Sequence, residues 1–496
     1  MTIESLLVLP DFAADKDGSR VLKSHGNALS SMLDLDFSKM PLKGDVTVEV
    51  DSVSSSSASI VPPSLNSAEL SDNTASSTPA DGSLSPTTDS FWKGTTRPLY
   101  EDFLRGANYP AEFHQKYVTF FDEFIIAALG PIPSSISAWT PHLTKDHSPF
   151  EPSWNIQGSK QQIRFSIEPV GQNAGTDLDP LSQERPLAFV ESLSAKKVCS
   201  GLDTEWWKHF TSELFLSNSE IQTLQSLSPP AKMTPTCFLA FDLPSEKFAP
   251  ILKAYLFPHR RALLSGKSTT QCVIDSAKKL HSTTTSVLPT LAHIEAFLSK
   301  KQSTVNTSVN KVISNLGGEE QEKSIEMMAI DCISPSKARI KLYVKENIAS
   351  FANVKNMYTL GGRRSGAEVD EGLAAFEKFW VSLFGDTEST QFNSAFLFLG
   401  LEIIPGVEMP DIKLYVPAWT CPIGDEEITA RLGSYFTSQN WAIGSTYDDD
   451  FQKICGNGEG MPVKASYTYL SFAYSSAKGP YVTLYYSPNI SQLGTF

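Results

Sequence analysis

The sequence predicts an α+β fold, a closed barrel of ten antiparallel strands ringed by helices. From Phe91 onward one unit recurs five times, helical periodicity followed by two short alternating segments, with successive units about 70–90 residues apart. Several of these segments set Arg, Lys or Tyr against apolar residues. In Arg339-Ile340-Lys341-Leu342-Tyr343-Val344 the strand period of two puts Arg339, Lys341 and Tyr343 on one face and Ile340, Leu342 and Val344 on the other. Five hairpins make ten strands, and a sheet that wide tends to close and so remove its edges.

The first unit opens with helical pattern at 99–106 and 111–129, where Phe113, Tyr117, Phe120, Phe121 and Phe124 recur at helical spacing until Gly130-Pro131 ends the run. Its strands are expected near 150–156 and 162–168. Helices over 182–197 and 203–227, with Trp206 and Trp207 on a packing face, precede strands near 236–242 and 250–257. Helices over 270–303 and 307–316 precede strands near 325–332 and 338–345. Gly361-Gly362-Arg363-Arg364 reads as a turn, and a helix over 367–385 precedes strands near 394–402 and 411–416. The last unit has a helix over 425–439 and strands near 466–474 and 480–486; between them Asp448-Asp449-Asp450 reads as a solvated loop.

Residues 1–90 fall outside this pattern. They hold 5 Lys/Arg against 13 Asp/Glu, Phe12 and Phe37 as their two aromatics, and 14 serines between 51 and 90. Such a segment buries too little apolar surface to offset its ordering entropy, so it is expected to be a disordered extension with at most a short helix near 28–34. The barrel domain is expected over 91–496.

The net charge of −14 and pI near 5.1 argue against nonspecific nucleic-acid binding. Cys199, Cys237, Cys272, Cys332, Cys421 and Cys455 are scattered with no CxxC pair, which fits reduced thiols in a cytoplasmic protein better than a disulfide scaffold or zinc module. No apolar run has the length of a membrane span. The sequence has no GxxxxGK[ST], no HExxH and no DDxxD-type cluster, and His142 and His147 read as loop residues.

The chemistry lies in where the polar strand faces point. Ile163-Arg164-Phe165-Ser166, Lys253-Ala254-Tyr255-Leu256 and Lys413-Leu414-Tyr415-Val416 repeat the alternation of the Arg339 segment. An ordinary half-exposed sheet would leave these cations in solvent. Their recurrence at corresponding positions of the repeat favours a shared lumen containing Arg164, Lys253, Arg339, Lys341 and Lys413. Convergent buried cations need an anion, and a diphosphate suits them through charge-assisted bonds. Tyr255, Tyr343, Tyr415, Tyr469 and Tyr485 add phenols, which donate to phosphate oxygens and stabilise a cation over the ring face by roughly 0.5–2 kcal/mol each. An allylic diphosphate requires this combination of a leaving-group clamp and a carbocation shield. Glu151, between Pro149 and Pro152, is either a loop residue or a lumen carboxylate able to accept from an indole N–H or a phenol O–H.

From about residue 91 to 496 the chain resembles the fungal aromatic prenyltransferases of the dimethylallyltryptophan synthase type. The matching segments, in order, are Leu129-Gly130-Pro131, Ser148–Asn155, Arg164–Pro169, Gly175-Thr176-Asp177, Ala240-Phe241-Asp242-Leu243, Lys253-Ala254-Tyr255, Arg339–Tyr343, Lys413–Pro417 and Tyr481–Pro488. The resemblance implies the prenyltransferase barrel, with Glu151 binding the acceptor, the five cations clamping diphosphate and the five tyrosines forming a shield. It implies no dependence on a bound metal or other cofactor. Its partners would be dimethylallyl diphosphate and a small aromatic acceptor, in a monomer or homodimer. Members acting on free tryptophan often carry a lysine in the strand before Ala-Phe-Asp-Leu, where this sequence has Thr236-Cys237-Phe238-Leu239. The expected reaction is Friedel–Crafts transfer of a dimethylallyl group to an indole-type acceptor. The alternatives are a phenolic or polyketide ring alkylated at carbon or oxygen, or a noncatalytic anion-binding barrel.

Overall fold

The ten alternating segments form strands β1 (Phe150–Gln157), β2 (Lys160–Ile167), β3 (Cys237–Leu243), β4 (Ile251–Leu256), β5 (Ser324–Asp331), β6 (Ile340–Glu346), β7 (Leu397–Ile403), β8 (Asp411–Pro417), β9 (Ser466–Ser475) and β10 (Gly479–Ser487). Each pairs antiparallel with its neighbours in sequence, and the β1–β10 pair closes the barrel. The computed structural model describes residues 86–134, 136–227, 234–280, 286–299, 323–386, 396–455 and 465–493, all within one compact unit. The helices expected at 28–34 and 307–316 lie outside the described residues.

The apolar strand faces point outward. Ile163, Phe165, Leu239, Leu342, Leu414 and Leu484 are fully or almost fully buried against helices. Burial of each such side chain contributes about 1.5–3 kcal/mol. This shell stabilises a barrel whose interior is left polar.

The helices are α1 (Pro86–Gly106), α2 (Ala111–Phe120), α3 (Glu184–Ala195), α4 (Glu205–Leu214), α5 (Asn218–Gln225), α6 (His259–Ser265), α7 (Thr269–Lys278), α8 (Leu288–Leu298), α9 (Phe351–Tyr358), α10 (Ala367–Phe384), α11 (Asp425–Ser438) and α12 (Tyr447–Cys455). After α2 the chain widens into a π turn, tightens in a 3-10 turn and stops at Gly130, whose φ of 78° suits glycine. Trp206 and Trp207 are buried, as their packing role requires.

Helices α6 and α9 are absent from the sequence reading, and four further elements differ from it. Helix α1 begins at Pro86, inside the segment expected to be disordered, and runs through Pro98. Burial of Trp92, Leu99, Tyr100 and Phe103 outweighs the roughly 3 kcal/mol that an interior proline costs. The helix expected over 203–227 is two, because Ser217 and Glu220 form a capping box that starts α5. The run over 270–303 likewise divides into α7 and α8, with Pro289 in the first turn of α8. Asp448, Asp449 and Asp450 are the first turn of α12 and no loop. Carboxylates suit a helix N-terminus, and Tyr447, Phe451 and Ile454 bury the opposite face.

Candidate active site

Along the even strands the inward positions step from cation to phenol. Lys253 precedes Tyr255 on β4, Lys341 precedes Tyr343 on β6, and Lys413 precedes Tyr415 on β8. Strand β2 carries Arg164 and then Ser166, and β10 carries Tyr481, Thr483 and Tyr485. Arg339 stands just ahead of β6. All five expected cations line one polar chamber. The odd strands make room for them: Lys253 pairs with Ala240, Lys341 with Ala329, Lys413 with Gly400 and Ala473, and Arg164 with Ser153. A Cβ on Gly400 would lie 3.0 Å from Cε2 of Tyr415.

Three carboxylates share this chamber, and the sequence reading did not place them there. Asp242 lies 3.1 Å from Nε of Arg164 and 2.5 Å from Nζ of Lys253. Asp331 and Glu402 hold Arg339 at 2.7 and 2.8 Å, with Lys341 3.8 and 3.6 Å away. The period of two could have found them, since each is two residues beyond a small inward residue: Ala240, Ala329 and Gly400. Burial disfavours ionising Asp331 and Glu402, but Lys341 and its neighbouring cations outweigh it and hold both at about 2. Burial pulls Lys253 down to about 8 against the attraction of Asp242.

The five expected cations, with Lys478 exposed at the rim, outnumber Asp242, Glu402 and the adjoining Asp331, so positive charge is in excess. Much of it falls on Lys413, which has no ion pair among the described residues. Its ammonium donates to Oγ1 of Thr483 at 3.0 Å and faces the rings of Tyr415 and Tyr481 at 5.2 and 5.3 Å. Burial lowers its pKa well below the ordinary lysine value.

Tyr255, Tyr343, Tyr415 and Tyr485 line both the polar chamber and an apolar one beyond it. Consecutive ring centroids are 5.9, 5.4 and 6.1 Å apart, so the four phenols form a belt between the chambers. Strand β2 interrupts the belt with Ser166, which pairs with Glu151.

The apolar chamber is walled by Phe238, Phe257, Met327, Phe398 and Tyr469. Tyr469 therefore stands away from the cations, unlike the other four tyrosines. A β-bulge explains its place: Leu484 pairs with Leu470 and Tyr486 with Tyr467, which leaves Thr468 and Tyr469 opposite the single Tyr485. The extra residue lets Thr468 donate to Glu151 at 2.7 Å while Tyr469 lines the chamber.

Glu151 lies in β1 and not in a loop. Pro152 removes one ladder donor without breaking the strand. Burial raises the Glu151 carboxyl to about 8, only partly offset by Thr468.

The profile of the tryptophan dimethylallyltransferase family matches residues 88–450. The chain belongs to that family. It is 31% identical over 416 residues to the 7-dimethylallyltryptophan synthase of Aspergillus fumigatus, spanning 80% of this chain and 84% of that one. It is 28% identical over 413 residues to a tryptophan dimethylallyltransferase of Epichloe coenophiala, with 79% and 88% covered. Among solved structures, AnaPT of Neosartorya fischeri superposes with a TM-score of 0.67 at 24% identity, covering 82% of this chain and 95% of its own. NotF, solved with brevianamide F and DMSPP, gives 0.66 at 23% identity, with 82% and 97% covered. These two likenesses establish the prenyltransferase barrel as the fold.

Family membership makes the chain a prenyltransferase. Two lumen groups outside the sequence-derived set stand beside the expected residues: Tyr481 in the polar chamber and the His259–Glu326 pair at the apolar one. Among the described residues no group of three or more His, Cys, Asp or Glu side chains is placed to hold a metal ion, and no helix is long and apolar enough to cross a membrane.

Proposed function

We propose that this chain transfers a dimethylallyl group from dimethylallyl diphosphate to an indole-type acceptor by Friedel–Crafts alkylation. The observation that carries the proposal is the division of one lumen into a cationic chamber and an apolar chamber that Glu151 enters, separated by the phenol belt. The diphosphate rests against Arg164, Lys253, Arg339, Lys341 and Lys413. The allylic C–O bond breaks, and its electron pair leaves with pyrophosphate into the field of these cations. The allyl cation forms beside the faces of Tyr255, Tyr343, Tyr415 and Tyr485, which stabilise it and exclude water. Tyr469 acts one layer further out, as part of the acceptor's wall.

The acceptor ring lies in the apolar chamber with its N–H on Glu151. It approaches the cation at Ser166, where the belt has no phenol. The ring carbon attacks, a C–C bond forms, and transfer of the ring proton to a base restores aromaticity. The relatives bearing dimethylallyltryptophan synthase names support an indole acceptor. Glu151 would equally accept from a phenol O–H, so a phenolic ring is the second reading. Charge stabilisation by side chains makes the reaction independent of added metal, and the six free thiols favour a reducing, cytoplasmic compartment.

The test is pyrophosphate release from dimethylallyl diphosphate with a panel of indoles and phenols, read together with product mass and NMR. Alkylated indole supports the first reading and alkylated phenol the second. Acceptor-independent binding of pyrophosphate with no product from any ring would sink both.

A further inference from the structure

A second carboxylate reaches the apolar chamber through a break in register. Ile325 pairs with Val344 and Met327 with Tyr343, so Glu326 is an extra residue on β5 with no partner on β6. Ile325 packs into the outer shell, while Met327 and Glu326 both line the chamber. The Glu326 carboxylate accepts from Nε2 of His259 at 3.0 Å and from the Ser324 hydroxyl. Burial would raise this carboxyl, but His259, with the Ser324 hydroxyl and the field of Lys345, outweighs it and holds the group below its ordinary range, hence ionised. Lys345, the next inward residue after Tyr343, turns its ammonium onto the Phe396 ring at 4.9 Å and forms no ion pair with Glu326.

The position of Glu326 is as informative as its charge. Going round the barrel, β5 is four strands from β1 one way and six the other, so Glu326 and Glu151 face each other from nearly opposite walls. An acceptor whose ring N–H meets Glu151 extends its substituents toward Glu326. A carboxylate with two donors retains unused lone pairs, and in an apolar wall it gains most from a mobile cation brought by the ligand.

We propose that Glu326, held by His259, is a specificity-determining residue that receives a protonated amine on the side arm of the acceptor. This rests on the indole reading above, and it narrows the acceptor to 3-substituted indoles with a basic nitrogen on the arm. The chamber then holds its substrate by two carboxyl groups with different tasks: Glu151 meets the ring and Glu326 meets the arm.

The experiment compares tryptamine with N-acetyltryptamine, which has the same ring and arm but no charge, in the wild type and in Glu326→Gln. Glutamine keeps the volume and the contacts to Ser324. The wild type should favour tryptamine by tenfold or more in kcat/KM, and Glu326→Gln should lower that ratio at least tenfold, mainly through the KM of tryptamine. The ratio is its own control for folding, since damage to the barrel lowers both rates. A ratio within twofold of the wild type, or an equal fall for both acceptors, would overturn the assignment. If the wild type alkylates phenols and no indole, the indole reading fails and this inference with it. If it alkylates both indoles with no dependence on Glu326, only this inference fails.

Discussion

Asp242 bridges two cations from two different strands: one carboxylate oxygen lies 2.5 Å from Nζ of Lys253 on β4 and the other 3.1 Å from Nε of Arg164 on β2. Internal carboxylates therefore offset part of the clamp's positive charge. Asp242→Asn would leave two buried cations without their partner. Breaking a buried pair this way costs on the order of 3–5 kcal/mol. The variant should melt several degrees below the wild type, and pyrophosphate should restore more of its Tm than it adds to the wild type. A wild-type melting curve without ligand would show that Asp242 does not support the clamp.

Lys253 and Arg339 are the cations whose loss should damage the leaving-group site most directly, since each reaches the chamber from a different carboxylate. Lys253→Ala and Arg339→Ala should each lower turnover by roughly two decades or more. Steady-state kinetics with saturating acceptor would check this, and full turnover by both would remove the diphosphate from this chamber.

The pH dependence should carry the signature of Glu151. Its carboxyl is raised to about 8 by burial, so the ionised form that accepts an N–H grows in as pH rises through that value. With saturating dimethylallyl diphosphate keeping Lys253 charged, the kcat/KM for an indole acceptor should climb over this range and level off above it. Glu151→Gln should remove that limb of the profile and lower the rate. An unchanged profile in the variant would assign the titration to another group.

Gly400 should be sensitive out of proportion to its size. A methyl there meets Tyr415 at 3.0 Å, and Tyr415 is a central member of the belt. Gly400→Ala should displace that ring by a few tenths of an ångström and cut turnover several-fold, because small misplacements near the reacting atoms are costly. Dimethylallyl diphosphate hydrolysis to the free alcohol should rise as water enters; product partitioning measures it.

Chelation gives the last expectation. With cations supplied by Arg and Lys side chains, excess EDTA should leave turnover within about twofold of its untreated value. A loss restored by a divalent cation would show that the side chains do not suffice.

Much of this site was legible because a barrel turns sequence parity into geometry. Arg164, Lys253, Lys341 and Lys413 share a chamber because each occupies an inward position on an even strand, and the alternation shows that directly. Asp242, Asp331 and Glu402 obey the same parity but sit in strands whose other inward residues are small or apolar, such as Phe238 and Ala240 or Phe398 and Gly400, so their segments show no cationic stripe. Thr468 and Glu326 broke the arithmetic. Each sits at a bulge, and a bulge is a local backbone event with no compositional mark in a run such as Ser324-Ile325-Glu326-Met327. Helix α1 was expected only from residue 99, and the burial of Trp92 shows why its earlier turns form.

The two bulges also bear on how such a barrel can change. A deletion of one residue inside any strand would exchange its wet and dry faces, charging the shell and greasing the interior. At Glu326 and at Thr468 an added residue has been absorbed within a strand, and each time it left a polar group facing the acceptor. Those two sites are where a change in chain length translates most directly into a new choice of substrate.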